Sequence, residues 1–559
     1  MALRNNTLVT KDWVRAIGFT QHLIAHKENA ALARLVHDRV RTLGGEEPAL
    51  IGTNESLSYA QLSAQANRYA RWALQKGFAF GDVVALDLMN RPEYVAIWLG
   101  LTQVGCVVAL LNTNLGRPAK EHCLSTACAK YVIDMAHMPE IGGLSGDPLG
   151  EGEHRPPRAR DRALLIYTSG TTGMPKAVNV THARILEWSG WFAGMLEATS
   201  VDRLYDCLPL YHSVGGIVAV GSMLAVGGAV IVRERFSASQ FWPDVAASKS
   251  TIVQYIGELC RYSLATPASE SDTKHQVRLA VGNGLAKDIW LSFQERFAIP
   301  RILEFYAASE GAVSLTNCEG KVGSLGRVPA FLRDRFPVAL VECDQDTGEL
   351  LRTSDGRCLR VPVGRPGEAI AKIQSNGKRS GTRFDGYTDS HSTDAKILGN
   401  VFEPGDRWYR TGDLLRQDEE GYYYFVDRLG DTFRWKGENV STTEVGLVLR
   451  QCQGVLDAAV YGVAIAGADG KAGMAALVVE QGLFDFAVLR AHLDVHLPAY
   501  ARPMFVRLCP ALPATGTFRL RKGDLVQQGY NKSTDPVWFN DIHKAAFVPY
   551  GSAVLVARH

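Results

Sequence analysis

The sequence lacks the features that would assign it to several large classes of protein. Its 559 residues include 10 scattered cysteines, and even the nearest pair, Cys123 and Cys128, is not spaced like zinc ligands. Neither sign of charge dominates, because 60 lysines and arginines face 58 aspartates and glutamates. The cysteines therefore indicate buried thiols in a reducing compartment. The balanced charge gives no indication of a nucleic-acid partner.

Uninterrupted apolar runs of membrane-spanning length are also missing. Residues 94–111 and 214–232 carry no charge and approach the length of a spanning helix, but glycines interrupt both. Each stretch divides into an apolar helix, a glycine turn and a strand rich in Val and Ala, as an α/β core requires. No apolar core follows the first six residues, so no secretory signal is predicted. We expect a cytoplasmic protein and leave open a peripheral contact with the inner face of a membrane.

The densest polar chemistry follows a short apolar run. Residues Ala163–Tyr167 predict a buried strand that stops abruptly in hydroxyls and glycines. Glycines allow main-chain N–H groups to approach an anion, and Lys176 adds a charge suited to phosphate. The P-loop signature is excluded because it ends in Gly-Lys-Ser/Thr, whereas here Pro175 precedes the lysine. A Gly/Thr hairpin loop is the alternative, but the many hydroxyls favour phosphate binding by Thr168, Ser169, Gly170, Thr171, Thr172, Gly173 and Lys176.

This stretch resembles the phosphate-binding signature of the adenylate-forming enzymes, which include acyl-CoA synthetases, luciferases and peptide-synthetase adenylation domains. Four further runs are similar to the branch of fatty-acid transport proteins and very-long-chain acyl-CoA synthetases: Gln254–Tyr262, Gly282–Leu285, Glu304–Gly311 and Asp427–Val445. Together these matches cover most of the chain, from about residue 50 to about residue 530.

Strand and helix patterns alternate at short spacing, which predicts parallel sheets built from βαβ units. Val83–Leu88 and Val107–Leu111 are two such strands. A chain of 559 residues is also too long for one ordinary domain. The resemblance implies a large N-terminal α/β region, residues 1–429, with mostly parallel sheets. It also implies a small, mobile α+β C-terminal lid domain, residues 430–559, that moves about a hinge at Gly430 and Asp431.

The resemblance implies an ATP-dependent ligase for long- or very-long-chain fatty acids. The fatty carboxylate would attack ATP to give acyl-AMP and pyrophosphate, and coenzyme A would then displace AMP. Mg²⁺ is the implied metal, and a hard carboxylate oxygen such as that of Glu310 suits it. Thr168 is the second implied metal ligand.

The implied roles of the remaining residues divide between nucleotide, acyl group and coenzyme A. Tyr306 would stack on adenine, and Ser309, in place of the usual threonine, would donate to a phosphate. Asp413, at a glycine turn, can accept from two ribose hydroxyls. A strand edge or a solvated turn is the alternative for each of these runs. The full implied set adds Lys176 and Gly282, His212 near the carboxylate or the pocket wall, Arg428 at the ribose or phosphates, and Gly437 and Glu438 along the pantetheine channel.

One position departs from the branch that the chain resembles. The lid lysine of that branch closes a run of the type Thr-Gly-Thr-Phe-Lys, and here Arg519 ends the run. Arginine keeps the charge but is a planar fork on a different stem, so the exchange is not conservative. If the chain after Phe518 is extended, Lys522 points away from the face of Arg519. Two alternatives therefore stay open: a fatty-acid binding or transport protein with weak ligase activity, and an adenylating enzyme for another acid or acceptor.

Overall fold

The fold is described from a computed structural model, which covers residues 2–25, 29–168, 174–344, 348–373, 383–429, 431–435, 438–465, 470–514 and 520–551. By its internal contacts the chain divides into two compact units. The larger unit comprises Met1–Pro337 and Lys372–Leu398, and the smaller unit comprises Val338–Ala371 and Gly399–His559. The predicted domain division at residues 429 and 430 stays a prediction.

The helices begin near the N-terminus and recur through both units. They are α1 Ala2–Ile24, α2 Ala33–Leu43, α3 Tyr59–Gln75, α4 Pro92–Gln103, α5 Arg117–Ala127, α6 His182–Met195, α7 Ser222–Val226, α8 Phe241–Ala247, α9 Gly257–Leu264, α10 Lys287–Arg296, α11 Ser390–Asp394, α12 Thr442–Arg450, α13 Phe486–His496 and α14 Lys522–Gln528. A π-helix spans Val214–Gly221, and short 3₁₀ turns span Glu270–Asp272, Ala330–Leu332 and Ala499–Ala501.

The strands of the larger unit are β1 Pro48–Ile51, β2 Ser56–Ser58, β3 Val83–Leu86, β4 Val107–Leu110, β5 Tyr131–Ile133, β6 Arg162–Thr168, β7 Lys176–Thr181, β8 Arg203–Asp206, β9 Ala229–Val232, β10 Ile252–Ile256, β11 Leu279–Asn283, β12 Ile302–Ala307 and β13 Ser314–Asn317. The later strands are β14 Val338–Val341, β15 Pro366–Lys372, β16 Ile397–Gly399, β17 Arg407–Gln417, β18 Tyr423–Arg428, β19 Phe433–Trp435, β20 Glu438–Val440, β21 Val455–Ala464, β22 Lys471–Val479, β23 Phe505–Leu508, β24 Val537–Asp541 and β25 Ala546–Pro549.

Two sheets of the larger unit have parallel inner strands. One follows the order β13-β12-β11-β10-β8-β9-β1-β2, with antiparallel pairs at its two ends. The other follows β5-β3-β4-β6-β7 and ends in the antiparallel pair β6–β7. These orders confirm the predicted α/β region with mostly parallel sheets. Because the carboxyl ends of parallel strands lie at one sheet edge, the loops after β8, β10, β11 and β12 emerge side by side.

The two uncharged apolar stretches are parts of this core, as the sequence predicts. The first contains α4 and β4, and the second contains the π-helix, α7 and β9. A turn at Gly227, whose φ of 77° is left-handed, separates helix from strand in the second stretch. None of the helices built from described residues has the length and apolar character needed to cross a membrane.

The smaller unit is built on mostly antiparallel pairs, with β22 and β23 parallel, and on short helices. One sheet contains β14, β15, β17 and β18, and another follows the order β21-β22-β23-β24-β25. Helices α12 and α13 bury Leu449 and Leu493 against the apolar face of the second sheet. The α+β character expected for the C-terminal region is therefore confirmed, and its mobility stays a prediction.

Candidate active site

The predicted phosphate loop joins the two strands of a β-hairpin. Thr168, the last residue of β6, lies opposite Lys176, the first residue of β7. Lys176 is exposed, and His122 Nε2 lies 3.2 Å from the carbonyl oxygen of the preceding Pro175. The predicted donors Ser169, Gly170, Thr171, Thr172 and Gly173 lie outside the described residues. A hairpin and a phosphate loop are thus compatible here, because the hairpin brings Thr168 and Lys176 to the same end.

A second predicted run forms the turn after β12, which we call the β12 turn (residues 308–311). Glu310 is half-buried, and its Oε1 accepts a hydrogen bond of 2.5 Å from the Tyr387 hydroxyl. Gly311 has a left-handed φ of 76°, and its carbonyl accepts a hydrogen bond of 2.6 Å from Arg184 Nη1. A Cβ at Gly311 would lie 1.7 Å from that nitrogen, so only glycine fits. One long-range hydrogen bond, from Arg184, therefore holds the backbone of the turn, and a second, from Tyr387, orients the Glu310 carboxylate.

The two residues that hold the β12 turn are ones that sequence reasoning missed. Arg184 is 2% exposed on α6 and pairs with Asp385 at 3.6 Å. The segment carrying Asp385 and Tyr387 runs beside β7, where the Gly386 carbonyl accepts a hydrogen bond of 2.9 Å from the N–H of Asn179. An arginine in a mostly apolar helix was the available signal for Arg184, because a buried charge requires a partner. No comparable signal marks Tyr387, since its partner Glu310 lies far away in sequence.

A buried carboxylate connects β12 to the neighbouring loops. Glu304 accepts hydrogen bonds from the Tyr255 hydroxyl at 2.6 Å, from the N–H of Leu285 at 3.2 Å and from the N–H of Gly284. Burial raises the pKa of the Glu304 carboxyl to about 8, while these three donors act in the opposite direction. Gly282 of the predicted nucleotide site is buried, and a Cβ there would lie 2.2 Å from the Tyr255 carbonyl. The structure thus gives Gly282 a packing reason to be glycine.

His212 lies in a turn between β8 and the π-helix. Its ring is tilted against Tyr211, with centroids 4.9 Å apart, and Ser213 Oγ lies 3.5 Å from Ser309 Oγ of the β12 turn. Asn90 fixes this turn, because its side chain accepts from the N–H of Leu210 and donates to the carbonyl of Leu208. Burial lowers the pKa of the His212 imidazole to about 4, so the ring is neutral at pH 7. Two predicted runs, around His212 and Ser309, therefore meet in space.

A largely apolar pocket of about 750 Å³, open mouth included, begins at these two turns and is hereafter the acyl pocket. Its lining includes residues of the β12 turn and Ser213 and Val214. Other lining residues recur at a helical spacing along one face of α6. The α6 face comprises Arg184, Glu187, Trp188, Trp191 and Phe192, and the remaining wall includes Thr20, Val218, Phe305, Val313, Ser314, Arg335 and Phe336.

In the smaller unit the predicted ribose residues pair with each other. Asp413 of β17 lies opposite Arg428 of β18, and Arg428 Nε is 3.3 Å from Asp413 Oδ1. Gly412 before it has a left-handed φ of 78°, and its N–H donates to the buried Glu368 carboxylate at 3.1 Å. The pair offers an acceptor and a cation side by side, which suits a ribose phosphate.

The predicted hinge and coenzyme A segment are described only in part. Gly430, Gly437 and Arg519 lie outside the described residues, whereas Glu438 is exposed at the start of β20. Lys522 Nζ donates to Thr442 Oγ1 at 2.6 Å and lies 3.4 Å from Asp431 Oδ2. The assumption of an extended chain here is wrong at Lys522, because α14 begins at this residue. The Lys522 ammonium group is thus bound to Thr442 and lies beside Asp431 at the predicted hinge, which an extended chain alone does not predict.

The comparisons with known proteins identify the family. The sequence model of the AMP-binding enzyme family matches residues 36–356. This chain belongs to the AMP-binding enzyme family. The family's C-terminal domain model matches residues 444–519 as well. The resemblance stated from motifs alone is therefore confirmed.

Two relatives are similar along almost the whole chain. Long-chain fatty acid transport protein 1 of Homo sapiens is 43% identical over 539 residues, which is 90% of this chain and 83% of that protein. The medium/long-chain-fatty-acid–CoA ligase FadD6 of Mycobacterium tuberculosis is 38% identical over 547 residues, 93% of this chain and 90% of that protein. Among solved structures, ATP-bound MatB from Rhodopseudomonas palustris has a TM-score of 0.74 at 22% identity, covering 89% of this chain and 99% of its own. That last likeness concerns the fold alone.

Proposed function

We propose that this AMP-binding enzyme is an ATP-dependent ligase that joins a long- or very-long-chain fatty acid to coenzyme A. The observation that carries the proposal is the shared boundary between the acyl pocket and the β12 turn. Ala308 and Gly311 line the pocket while Ser309 and Glu310 belong to the same turn. A long apolar acid in this pocket would present its carboxylate where the turn presents polar groups. The names of the two relatives, a fatty acid transport protein and a fatty-acid–CoA ligase, point to the same class of acid.

In the first half-reaction a carboxylate oxygen of the acid forms a bond to the α-phosphorus of ATP. The bond between the α-phosphorus and the bridging oxygen breaks, and pyrophosphate leaves with the electron pair. This chain's residues bind and align: Thr168 and Lys176 of the hairpin face the phosphates, Tyr306 stacks on adenine, and Ser309 donates to a phosphate. A neutral His212 contributes a hydrogen bond near the carboxylate without locking it in an ion pair. Arg519 would stabilise the charge that develops between carboxylate and phosphate.

The oxygen atoms of Glu310 and Thr168 suit a magnesium ion that also binds oxygens of the substrate phosphates. One oxygen of Glu310 is engaged by Tyr387, and within the described residues its Oε2 accepts no hydrogen bond. A single carboxylate together with phosphate oxygens is how Mg²⁺ is commonly bound at nucleotide sites. When bound by Glu310 and Thr168, the ion would supply positive charge that neutralises the phosphates. Tyr387 orients Glu310 for this role.

In the second half-reaction the thiolate sulfur of coenzyme A attacks the acyl carbonyl carbon and AMP leaves. We propose that residues 430–559 rotate about Gly430 and Asp431 between the two steps, because one arrangement cannot present both the phosphate groups and a thiol channel. Gly437 and Glu438 then line the pantetheine channel. Asp413 and Arg428 bind the ribose in both half-reactions. A peripheral contact with the inner face of a membrane belongs to this proposal, since the acid is a lipid.

Arg519 favours one second candidate, a fatty-acid binding or transport protein with weak ligase activity. An adenylating enzyme for another acid or acceptor is the remaining alternative. The test incubates the purified protein with ATP, Mg²⁺, coenzyme A and a series of acids, and follows pyrophosphate and acyl-CoA in the same samples. We expect both products with long-chain acids and pyrophosphate without thioester when coenzyme A is omitted. If the protein binds fatty acids but forms no AMP, the transport alternative replaces the proposed ligase. If thioester forms only from another class of acid, the protein is a ligase for that acid instead of for fatty acids.

A further inference from the structure

Three neighbouring parallel strands of the larger unit carry one connected row of residues. Tyr255 of β10 lies beside Gly282 of β11, and Gly282 lies beside Glu304 of β12. The Tyr255 ring covers the middle position, because a Cβ at Gly282 would lie 2.6 Å from its Cδ2 and 2.7 Å from its Cε2. The Tyr255 hydroxyl therefore reaches across β11 and binds Glu304 Oε2 at 2.6 Å. We call the row Tyr255, Gly282 and Glu304 the strand bridge.

The other oxygen of Glu304 holds the loop that follows β11. Oε1 accepts hydrogen bonds from the N–H of Leu285 at 3.2 Å and from the N–H of Gly284. Gly284 has a left-handed φ of 81°, and its carbonyl oxygen would lie 1.7 Å from a Cβ at Gly257, where α9 begins. The loop is thus held between Glu304 and α9, while Gly284 itself is exposed at the edge of the sheet.

Strand β12 separates the acyl pocket from the side chain of Glu304. Phe305 and Ala307 line the acyl pocket, whereas Ile302 packs in the other core cluster of the larger unit. Because side chains alternate along a strand, Glu304 and Tyr306 share the face of Ile302. Tyr306, which the proposed function places against adenine, therefore projects from the same side of β12 as the residue that holds the loop.

We propose that Glu304 is a positioning residue for ATP: through the strand bridge it fixes residues 283–285 beside Tyr306 and so sets the slot that receives the adenine base. This inference rests on the proposed function and adds a residue to that same site. Glu304 acts through the backbone of the loop, not by touching the base. The proposal also assigns Gly282 a role, which is to let the Tyr255 ring pass over β11.

The experiment compares the wild type with Glu304→Met, Glu304→Gln and Tyr255→Phe in ATP-dependent pyrophosphate release. Methionine has a similar volume but no oxygen, so the buried N–H of Leu285 loses its acceptor. We expect Glu304→Met to raise the KM for ATP by about tenfold, equivalent to about 1.4 kcal/mol. Since contacts to the base persist into the transition state, kcat should change little, and the KM for the fatty acid should stay the same.

The two milder variants test the two oxygens of Glu304 separately. Glutamine keeps an oxygen for the loop, and its amide can donate to the Tyr255 oxygen, so Glu304→Gln should return the KM for ATP to nearly the wild-type value. Tyr255→Phe removes only the hydroxyl of the strand bridge and should raise this KM by about threefold.

Inhibition by adenosine and by pyrophosphate then locates the change within the nucleotide site. Adenosine lacks the phosphates, and pyrophosphate lacks the base. In Glu304→Met the inhibition constant of adenosine should rise with the KM for ATP. That of pyrophosphate should not change, because Thr168 and Lys176 lie on a hairpin of the other sheet. A general loss of fold would weaken both inhibitors.

Tyr205→Phe is the matched control. Tyr205 lies on β8 of the same sheet, and its hydroxyl donates to Asp244 at 2.9 Å, so this variant should keep the wild-type KM for ATP. Thermal unfolding without nucleotide measures the fold of each variant. If Glu304→Met does not fold, Tyr255→Phe decides, and wild-type inhibition by adenosine in that variant overturns the inference.

Two further results separate the inference from the proposed function. A folded Glu304→Met protein with the wild-type KM for ATP, or with equal rises in the KM for ATP and for the acid, overturns the inference alone. A wild-type protein that forms no acyl-AMP from ATP and any fatty acid overturns the proposed function and, with it, this inference.

Discussion

Two groups of residues around the acyl pocket differ in how they are built, and we call them the polar end and the apolar end. The polar end is the β12 turn, where Ser309 and Glu310 come from one short run and present particular atoms, such as the Glu310 oxygen that accepts from Tyr387. The apolar end comprises Thr20, Trp191 and Phe336, which come from three distant parts of the chain and share no motif. Phosphate and metal chemistry demands particular atoms at particular spacing, so it leaves a motif. An apolar wall needs only the right volume, which many residues can supply.

If this contrast holds, removing one carboxylate at the polar end should have the largest effect of all. We expect Glu310→Ala to lower the rate of acyl-AMP formation by about a thousandfold, because metal binding contributes several kcal/mol to stabilising charge in the transition state. Pyrophosphate release at saturating Mg²⁺ measures the effect. The control is Glu270→Ala, which removes an exposed glutamate that pairs with Lys274. Full activity of a folded Glu310→Ala protein would remove Glu310 from the metal site.

The apolar end should respond to volume instead of chemistry. Gly194→Ala places a methyl group 2.4 Å from the Cα of Ala16, where backbone must move. Overpacking of this kind costs about 1–3 kcal/mol of unfolding free energy. Gly18→Ala, on α1 itself, meets no atom within 4 Å and should stabilise the helix by about 0.5–1 kcal/mol. Chemical denaturation of the pair gives both values, and equal destabilisation by the two substitutions would mean that α1 does not pack on α6 as described.

Arg519 tests whether a motif departure at the polar end has a cost. Arg519→Lys restores the lid lysine of the branch that this chain resembles. It should speed acyl-AMP formation by about tenfold, which equals a lowering of the activation barrier by about 1.4 kcal/mol. Thioester formation from supplied acyl-AMP should barely change, because the lid has rotated by that step. Arg521→Lys is the matched control, since Arg521 is exposed and lies 3.6 Å from Asp524. An unaltered adenylation rate in Arg519→Lys, or full activity in Arg519→Ala, would end the proposed lid role.

The same contrast explains which features of this protein could be predicted from its sequence. Val83–Leu86 and Val107–Leu110 are strands as predicted, because buried parallel strands read as apolar runs. Ser58 is of a residue type that favours the N-cap, and it caps α3, where its Oγ accepts from the N–H of Gln61 at 3.2 Å. The nucleotide motifs also brought together residues that the structure places in contact, such as Asp413 with Arg428.

The features that could not be predicted from the sequence depend on contacts between distant parts of the chain, or on local geometry that has no sequence signature. The π-helix Val214–Gly221 arises in an apolar run that favours any buried helix. Strand β7 begins soon after the predicted phosphate loop, and its alternation of polar and apolar residues is too short to stand out. Arg184 and Tyr387 bind the β12 turn from other elements, and Trp13 packs on Trp191 from a helix outside the residues that the family model matches. No local pattern specifies such meetings.

Tyr387 tests the contrast between the polar and apolar ends, because it is a polar residue bound to the β12 turn that no sequence motif predicts. Tyr387→Phe removes only the hydroxyl that donates to Glu310 Oε1, and it keeps the ring that packs beside Phe384. A hydrogen bond to a charged group contributes about 1.5–3 kcal/mol. Since the freed Glu310 can turn away from the phosphates, we expect about 1.4 kcal/mol of this energy to appear as a tenfold rise in the Mg²⁺ concentration for half-maximal adenylation. Tyr424→Phe removes a comparable hydroxyl, which donates to Asp418 at 2.9 Å, and should leave this midpoint unchanged. A Tyr387→Phe protein with the wild-type Mg²⁺ midpoint would show that Glu310 needs no partner, and the motif alone would then describe the polar end.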